Sequence, residues 1–447
     1  MKKVLFIAYH YPPIGWSGTQ RSLKFTKYLP EFNWEPIVVT VKDTSLYMND
    51  DSLKEDIPEN LKVVRMEEIN QQDYLADIVN KMSEKFSPVL DMLSEGYKKH
   101  FTDSFKNYVM RSKSLLQVPD MQTFWAVNVL ENIEKQVDFN DIDLIYSTCG
   151  PFSCHLIARK LKHKYNIPWV ADFRDEWTNN PYQTFDRNNI IVRIQEDLEK
   201  CVLGESDKII TISDIAKNNY INKFGIDDSK IQVITNGYDE DDFKGLNNLS
   251  DDKEKFTIVY SGSLYMERMP YTVLQAMNEL IDEGLIDKDK VWIKFIGTCD
   301  QNIYNNIFKY NKHNIIKYLG YLKHDQSLSY VVNANLLLLL VGVNPKVKSV
   351  YTGKIFEYLR SANPILSISP KESLVEKLLD ETSCGKNVQY SDVEGIKKFI
   401  YEQYKHWENG TEAIMPNENE IYKYDREYLT EQLGKIFDKL LELKVDS

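Results

Sequence analysis

The sequence predicts an α/β protein made of two doubly wound domains, and three observations support this fold class. Short apolar runs rich in β-branched and aromatic residues recur along the chain, and most are apolar throughout instead of alternating. Such runs are typical of strands buried on both faces of a parallel sheet. Amphipathic segments between them predict crossover helices. A polar stretch at 236–255 interrupts the pattern, which restarts after it, as expected at an interdomain linker.

The first domain is predicted to contain seven strands and at least two crossover helices. The helices are expected at 20–29 and 155–164, where apolar residues recur at helical spacing. One segment, 73–116, does not fit a minimal sheet unit and predicts a mostly helical insertion. The strands are expected at 4–8, 36–41, 62–65, 144–147, 169–173, 208–212 and 232–235.

The second domain repeats the same alternation of strands and helices. A final amphipathic segment at 426–443 has one apolar face, which must pack on another part of the chain. We therefore predict domains at 1–245 and 246–419, with a C-terminal helix at 420–447 that packs back on the first domain. The strands of the second domain are expected at 257–261, 292–296, 315–318, 336–340 and 364–367.

Composition and charge limit the functions and the cellular compartments that this protein can be expected to have. The 447 residues carry 55 Lys and Arg against 67 Asp and Glu, so the net charge of −12 lacks the basic character of nucleic-acid-binding proteins. Five scattered cysteines without a metal-ligand spacing are expected to be reduced thiols. The longest apolar run, 336–341, is far shorter than the roughly 20 residues that span a bilayer. A cytoplasmic protein is expected.

The predicted insertion contains a segment, 97–116, whose pattern has two interpretations. Phe101, Phe105, Tyr108 and Val109 form an apolar stripe beside several lysines and arginines. A basic amphipathic helix can lie on an anionic membrane surface, which would give peripheral membrane contact. The alternative is a helix that packs on the domain and exposes its basic face to solvent.

Two glycine-containing turns follow predicted strands and precede predicted helices. In the first domain, Gly15 and Gly18 would let backbone N–H groups approach a phosphate or a sugar, although an ordinary tight turn has the same pattern. This turn is not a G-x-G-x-x-G motif, so a nicotinamide-dependent dehydrogenase is disfavoured. In the second domain, Thr352, Gly353 and Lys354 begin a helix in a way that favours a diphosphate.

Glu357 lies three residues after Lys354, on nearly the same helix face. A carboxylate there can accept hydrogen bonds from ribose hydroxyls, as acidic residues do in dinucleotide sites. The alternative is a surface Lys–Glu pair worth only tenths of a kcal/mol, roughly 0.2–0.5.

Six motifs in this order resemble glycosyltransferase family 4, a family of GT-B enzymes with two Rossmann-like domains facing a cleft. The resemblance covers nearly the whole chain. It implies a retaining transfer of a sugar from a nucleotide-sugar donor, without a cofactor or a metal, to a glycan or polyprenyl-linked glycan of a bacterial capsule, O-antigen or exopolysaccharide. The motifs are YHYPPIGWSG, VPDMQTFW, PWVADFRDEW, VITNGYDEDDF, YSGSLYMERM and GKIFEYLRSANPIL.

Ten residues are predicted to bind the donor, seven through the resemblance and Thr352, Gly353 and Lys354 through the helix start described above. Gly262 and Gly18 would approach the diphosphate, Arg268 would neutralise it and Glu357 would hold the ribose. Further donor contacts are expected from Gly297, Tyr321, Leu322, Thr352, Gly353 and Lys354.

Two positions depart from the family pattern, because Ser349 replaces the first carboxylate of its E-x7-E element and Ser263 replaces a phosphate-binding arginine. Lys346, Lys348 and Lys354 are hypothesised to compensate for the missing cation.

The resemblance and the strand ends together suggest catalytic and acceptor residues in the first domain. Asp175, Arg174 and His155 are the catalytic candidates, since a carboxylate at the carboxyl end of a parallel strand faces bound ligand. In retaining enzymes of this kind the donor phosphate is thought to take the acceptor proton, so Asp175 would only orient. The alternative is a structural cluster of Asp172 and Asp175 with Arg174. His10, Gln20 and Asp172 are predicted to contact the acceptor.

The sequence thus predicts a cytoplasmic glycosyltransferase, peripheral on the membrane at most. Two other interpretations stay open. One is a nucleotide-sugar epimerase of the same architecture, which would alter the donor without an acceptor. The other is a non-catalytic subunit that binds the sugar nucleotide, motivated by Ser349 and Ser263.

Overall fold

A computed structural model describes residues 1–43, 49–69, 117–180, 186, 189–246 and 254–445. The predicted insertion at 73–116, with its basic segment 97–116, lies outside these residues. The chain forms two compact units. The first unit comprises Met1–Ile234 together with the chain from Leu433 onward, and the second comprises Thr235–Gln432.

The first unit is built on a seven-stranded parallel sheet with the strand order β3-β2-β1-β4-β5-β6-β7. Apolar side chains fill both faces, so strands such as β4 are buried along their whole length. The chain reverses direction across the sheet between β1 and β4, which is where α/β sheets bind ligands at their carboxyl ends. The strands are β1 (Lys2–Ile7), β2 (Trp34–Val41), β3 (Lys62–Met66), β4 (Leu144–Thr148), β5 (Trp169–Phe173), β6 (Lys208–Thr211) and β7 (Ile231–Val233).

Five described helices connect these strands. Two of them begin at a side-chain cap: the side chain of Asn189 accepts from Ile191 N–H, and the hydroxyl of Ser213 accepts from Ala216 N–H. They are α1 (Ser17–Tyr28), α2 (Thr123–Asn132), α3 (Ser153–Tyr165), α4 (Ile190–Glu205) and α5 (Asp214–Phe224).

The second unit repeats this topology with a six-stranded parallel sheet in the order β10-β9-β8-β11-β12-β13. Its reversal lies between β8 and β11. The last strand was not expected from the sequence, because only Val388 of its four residues is buried. The strands are β8 (Phe256–Ser261), β9 (Val291–Ile296), β10 (Ile316–Gly320), β11 (Leu336–Leu340), β12 (Ile365–Ile368) and β13 (Gly385–Val388).

The helices of the second unit cover its sheet. The last helix of the chain is divided between the units: its residues up to Gln432 belong to the second unit and those from Leu433 belong to the first. Among the described helices, none has both the length and the apolar character of a membrane span. The helices are α6 (Tyr271–Asp282), α7 (Gln301–Lys309), α8 (His324–Val332), α9 (Lys354–Ser361), α10 (Leu374–Thr382), α11 (Val393–Asn409), α12 (Glu418–Tyr422) and α13 (Arg426–Val445).

The two parallel sheets confirm the predicted fold class. The units divide after Ile234, earlier than the predicted boundary at residue 245. The reason is local pairing, since Tyr238 N–H donates to the carbonyl of Tyr424 at 3.0 Å and accepts from Arg426 N–H at 2.8 Å. In the part of α13 that belongs to the first unit, the ring of Phe437 packs 5.1 Å from that of Trp34.

Candidate active site

Two glycines lie against each other at the carboxyl edge of the second sheet. Gly262 follows β8 with φ +131°, and Gly297 follows β9 with φ +119°. A Cβ on Gly297 would lie 2.4 Å from the carbonyl oxygen of Gly262, so no side chain fits there. Both backbone conformations also favour glycine. The sequence placed both residues at a donor site, and the structure brings them together.

The ammonium of Lys354 lies directly over Gly262. A Cβ on Gly262 would be only 2.0 Å from Nζ of Lys354, and Nζ lies 4.0 Å from the centroid of the Tyr260 ring. Nζ is buried and has no hydrogen-bond partner among the residues that the structure describes. Burial, and then the charge of Arg268, lower the pKa of Lys354 well below its ordinary value, although Glu357 opposes this shift. A buried amine without a counter-charge favours an anionic ligand.

Other groups around this amine are also arranged for a ligand. Thr352 Oγ1 is buried and has no partner within the described ranges. The guanidinium of Arg268 lies 4.6 Å from the ring of Tyr265. Glu267 Oε2 accepts from the backbone N–H of Val343 at 3.2 Å and of Asn344 at 2.8 Å. This carboxylate therefore ties the loop after β8 to the loop after β11.

Glu357, the predicted ribose ligand, has a partner that the sequence did not suggest. Its Oε1 lies 2.9 Å from Nε2 of His324, the first residue of α8. Both side chains are partly exposed. Glu357 therefore does not form the simple surface pair with Lys354 that the helical spacing also allowed.

The remaining donor candidates have more ordinary surroundings. Gly353 is exposed with open space where a Cβ would be. Tyr321 is 44% exposed, whereas Leu322 packs partly on the core. Lys348 pairs with Glu372 at 3.1 Å. Lys346 is exposed, so Lys354 is the buried cation among the three lysines hypothesised to compensate.

In the first unit, Arg174 packs against the backbone of two glycines. A Cβ on Gly18 would lie 1.7 Å from Arg174 Nη1, and one on Gly150 would lie 2.3 Å from Nη2. Arg174 Nε donates to the carbonyl of Cys149 at 2.7 Å. The first turn of α1 and the loops after β4 and β5 thus meet at one guanidinium.

Asp172 belongs to a buried ion pair and not to the surface that could meet an acceptor. Its carboxylate accepts from Arg21 Nε and Nη2, both at 2.8 Å, and from the hydroxyls of Tyr146 at 2.6 Å and Thr148 at 2.9 Å. It is fully buried. The predicted acceptor contact by Asp172 is therefore incompatible with its position. Its ion-pair partner is Arg21 and not Arg174, which was its partner in the alternative structural cluster.

The two candidate histidines are buried as well. His155 is fully buried, with Nδ1 2.8 Å from Ser147 Oγ and its ring 4.5 Å from that of Phe173. Burial lowers the pKa of His155 to about 3. Burial and the charge of Arg174 also lower the pKa of His10 to about 3. His155 is a core residue and cannot reach substrate as predicted, since no atom of it is exposed.

Asp175 and Gln20 keep positions that substrate could reach. Asp175 is exposed over 55% of its side chain, and its Oδ2 lies 3.8 Å from Arg174 Nε. Gln20 is partly buried on α1. The roles of Asp175, Arg174 and Gln20 stay predictions.

Solved structures share this fold over almost their whole length. A sucrose-phosphate synthase from Thermosynechococcus elongatus is 12% identical with a TM-score of 0.65 over 99% of this chain and 100% of that one. A glycosyltransferase from Rickettsia africae is 12% identical with a TM-score of 0.62 over 98% of each chain. HepE from Anabaena, in complex with UDP and glucose, is 13% identical with a TM-score of 0.61 over 98% and 100%. At these identities the likeness shows the fold.

Residues 96–242 match the model of Glycosyltransferase Family 4. The chain has the GT-B fold, and residues 96–242 are similar to Glycosyltransferase Family 4. No curated protein matches the chain. The family match contains Arg174 and Asp175 and ends before β8. The donor residues of the second unit are therefore supported by their own geometry and not by this match.

The buried His155 leads to a prediction about acid stability. Because the folded pKa of His155 is about 3 and its unfolded pKa is near 6.5, the unfolded chain binds more protons between these values. The contribution of His155 to the free energy of unfolding should fall by up to about 1.4 kcal/mol per pH unit as the pH drops below 6.5. His155→Asn should flatten this slope in urea titrations, and a wild-type slope in this variant would contradict the assignment.

His324 is the residue near these donor candidates that sequence reasoning missed. It follows the predicted donor residue Leu322 by two positions and Tyr321 by three, so its place after β10 was the only available signal. Its contact with Glu357 depends on α8 and α9 packing side by side, which neither local pattern indicates.

Proposed function

We propose that this protein is a glycosyltransferase that moves a hexose-type sugar from a nucleoside diphosphate sugar to a glycan or polyprenyl-linked glycan, with retention of anomeric configuration. The surface polysaccharide of a bacterium is the proposed product. One observation carries the proposal: the buried Lys354 amine, without a partner among described residues, lies over Gly262 at the carboxyl edge of a parallel sheet. A diphosphate supplies the missing negative charge.

The proposed donor chemistry is electrostatic. Lys354 and Arg268 would bind the diphosphate, with Thr352 as a hydrogen-bond donor whose hydroxyl is otherwise unused within the described ranges. When the bond from the sugar to the diphosphate breaks, negative charge grows on the leaving phosphate. Fixed cations in a site with little water stabilise this charge most in the transition state. Lys354 therefore takes the place of the family arginine that is absent at Ser263.

The nucleoside would be held through its ribose. Glu357 Oε1 is engaged by His324, and its second oxygen is available to accept from a ribose hydroxyl. Such an acidic partner for ribose is common in Rossmann-like sites. The neighbour HepE was crystallised with UDP and glucose, which supports a nucleoside diphosphate as the ligand class.

The acceptor is assigned to residues of the first unit. We propose that Asp175 orients the acceptor hydroxyl and that Arg174 binds negative charge beside it, with Gln20 as a further contact. No metal is needed in this scheme, so turnover should persist in EDTA. A lipid-linked acceptor would bring the enzyme to the cytoplasmic face of the membrane.

The test of this function is a binding and turnover experiment with matched variants. Calorimetry with UDP-glucose, GDP-mannose, ADP-glucose and dTDP-glucose, without added metal, should give one donor that binds. Glu357→Ala should weaken that donor at least about tenfold, since a charged hydrogen bond is lost. Asp175→Ala should bind the donor as the wild type does, yet release less nucleoside diphosphate with a polyprenyl-linked saccharide as acceptor.

The outcomes separate the competing functions. Conversion of the donor sugar without any acceptor would indicate an epimerase. Donor binding without turnover on any acceptor would indicate a non-catalytic subunit. Equal donor affinity in Glu357→Ala and Asp175→Ala would contradict the assigned roles.

A further inference from the structure

We infer that His324 is a positioning residue of the donor site: it holds the carboxylate of Glu357 away from the ammonium of Lys354, so that each group stays available for its own part of the nucleotide. The inference rests on the proposed function. It adds to that function a residue to which neither the sequence motifs nor the family match gives a role.

Lys354 and Glu357 could pair on α9 but do not. Lys354 and Glu357 lie three residues apart on α9, a spacing at which lysine and glutamate side chains normally meet. Here they do not form an ion pair. Glu357 Oε1 lies 2.9 Å from Nε2 of His324, while Nζ of Lys354 is buried over Gly262 with no hydrogen-bond partner in the described part of the chain.

Two contacts fix the helix that carries His324. Ser327 Oγ lies 2.8 Å from Ser261 Oγ at the end of β8, and Leu328 is buried in the core. Ser261 N–H in turn donates to the hydroxyl of Tyr358 on α9 at 2.8 Å. The helix that carries the imidazole is therefore held against β8, which also contacts α9.

Removing the imidazole would free a carboxylate next to the buried amine of Lys354, and a nearby carboxylate favours the protonated form of that amine. Attraction between opposite charges is strong where water is scarce, so Glu357 would turn toward the protonated amine. An amine held in this ion pair would no longer be available to bind phosphate. His324 thus acts through Glu357 on the phosphate end of the site, although it need not touch phosphate itself.

A double-variant cycle with inorganic pyrophosphate as the probe tests this inference, because pyrophosphate has no ribose. His324→Ala should bind pyrophosphate about tenfold more weakly than the wild type or worse. Glu357→Ala should bind it at least as well as the wild type. The double variant should match Glu357→Ala, since the competing carboxylate is gone. His324→Gln should retain wild-type affinity, because its side-chain N–H can still donate to Glu357.

Two results would overturn the inference. One is wild-type pyrophosphate affinity in His324→Ala. The other is an equal loss in the single and double variants, which would mean that His324 supports the fold of the site and does not restrain Glu357. Lys354→Ala tests the proposed function separately. If Lys354→Ala binds pyrophosphate normally, or if the wild type does not bind it, the proposed diphosphate site is wrong. If Lys354→Ala loses pyrophosphate affinity but the His324 variants keep it, the diphosphate site is supported and the positioning role of His324 is wrong.

Discussion

Replacing Asp172 with alanine is expected to lower the free energy of unfolding by about 3–5 kcal/mol. The change leaves the buried guanidinium of Arg21 without its counter-charge, and it also removes the acceptor for the hydroxyls of Tyr146 and Thr148. Breaking one side of a buried ion pair costs this much because the remaining charge is not solvated. Urea denaturation followed by circular dichroism measures the loss.

The matched control for Asp172→Ala is Asp175→Ala, three residues further along the chain. Asp175 is largely exposed, so its replacement should change the free energy of unfolding by no more than about 0.5 kcal/mol. A second change, Arg21→Met in the Asp172→Ala background, should recover part of the lost stability by removing the unpaired charge. Equal effects of the two aspartate variants would show that the ion pair does not stabilise the fold.

The same pair predicts a dependence on pH. Burial alone would raise the pKa of Asp172, but the charge and hydrogen bonds of Arg21, with those of Tyr146 and Thr148, lower it below its ordinary value. The unfolded chain therefore binds the proton first as the pH falls. The stabilisation is present above the unfolded pKa, near 3.9, and is lost as the pH falls through the folded pKa.

Lys354→Met is expected to weaken donor binding strongly while it raises the melting temperature of the ligand-free protein. Methionine fills similar space and has no charge to bury, so the cost of burying an amine without a partner disappears. Loss of the charged contacts to the diphosphate should weaken the donor by about 10- to 100-fold. Differential scanning fluorimetry and calorimetry on the same samples measure both effects.

The control for Lys354→Met is Lys346→Met, because Lys346 is exposed in the neighbouring loop. It should leave both donor affinity and melting temperature nearly unchanged. A lower melting temperature in Lys354→Met would show that the amine stabilises the free protein, which contradicts its assignment as a ligand group.

The lowered pKa of Lys354 adds a pH dependence to donor binding. Burial and the neighbouring Arg268 favour the neutral amine in the free protein, against Glu357, whereas a bound diphosphate favours the ammonium. The neighbouring Tyr260 is buried, and its pKa is raised, so it stays neutral. Donor binding should therefore take up a proton, and donor affinity should fall as the pH rises. Calorimetry of a nucleotide sugar in two buffers with different ionisation enthalpies measures the proton directly, and the proton should vanish in Lys354→Met.

Local patterns in the sequence predicted most strands because buried parallel strands are apolar along their length. β11, with five consecutive leucines, is the clearest example, and β13 escaped because three of its four residues are not buried. The family resemblance placed Gly262 and Gly297 at a donor site, and the start of a helix after a glycine placed Lys354 there.

Pairings between distant residues could not be predicted in this way. Asp172 was matched with its neighbour Arg174, but its partner Arg21 lies 151 positions earlier. Likewise, His324 meets Glu357 33 positions later, through the packing of α8 beside α9. The order of the strands in the sheet decides which distant polar residues meet in one site. A single sequence does not reveal that order.

The close approach of Lys354 to Gly262 makes these two positions interdependent in any variant of this enzyme. Position 262 has room for a hydrogen atom only while an amine occupies the space 2.0 Å from where a Cβ would be. An alanine at 262 would push that amine out and would also be strained at φ +131°, whereas loss of the amine at 354 would remove the clash alone. Substitutions at 262 and 354 should therefore be strongly non-additive, and the two residues should be exchanged together when the donor preference of this scaffold is redesigned.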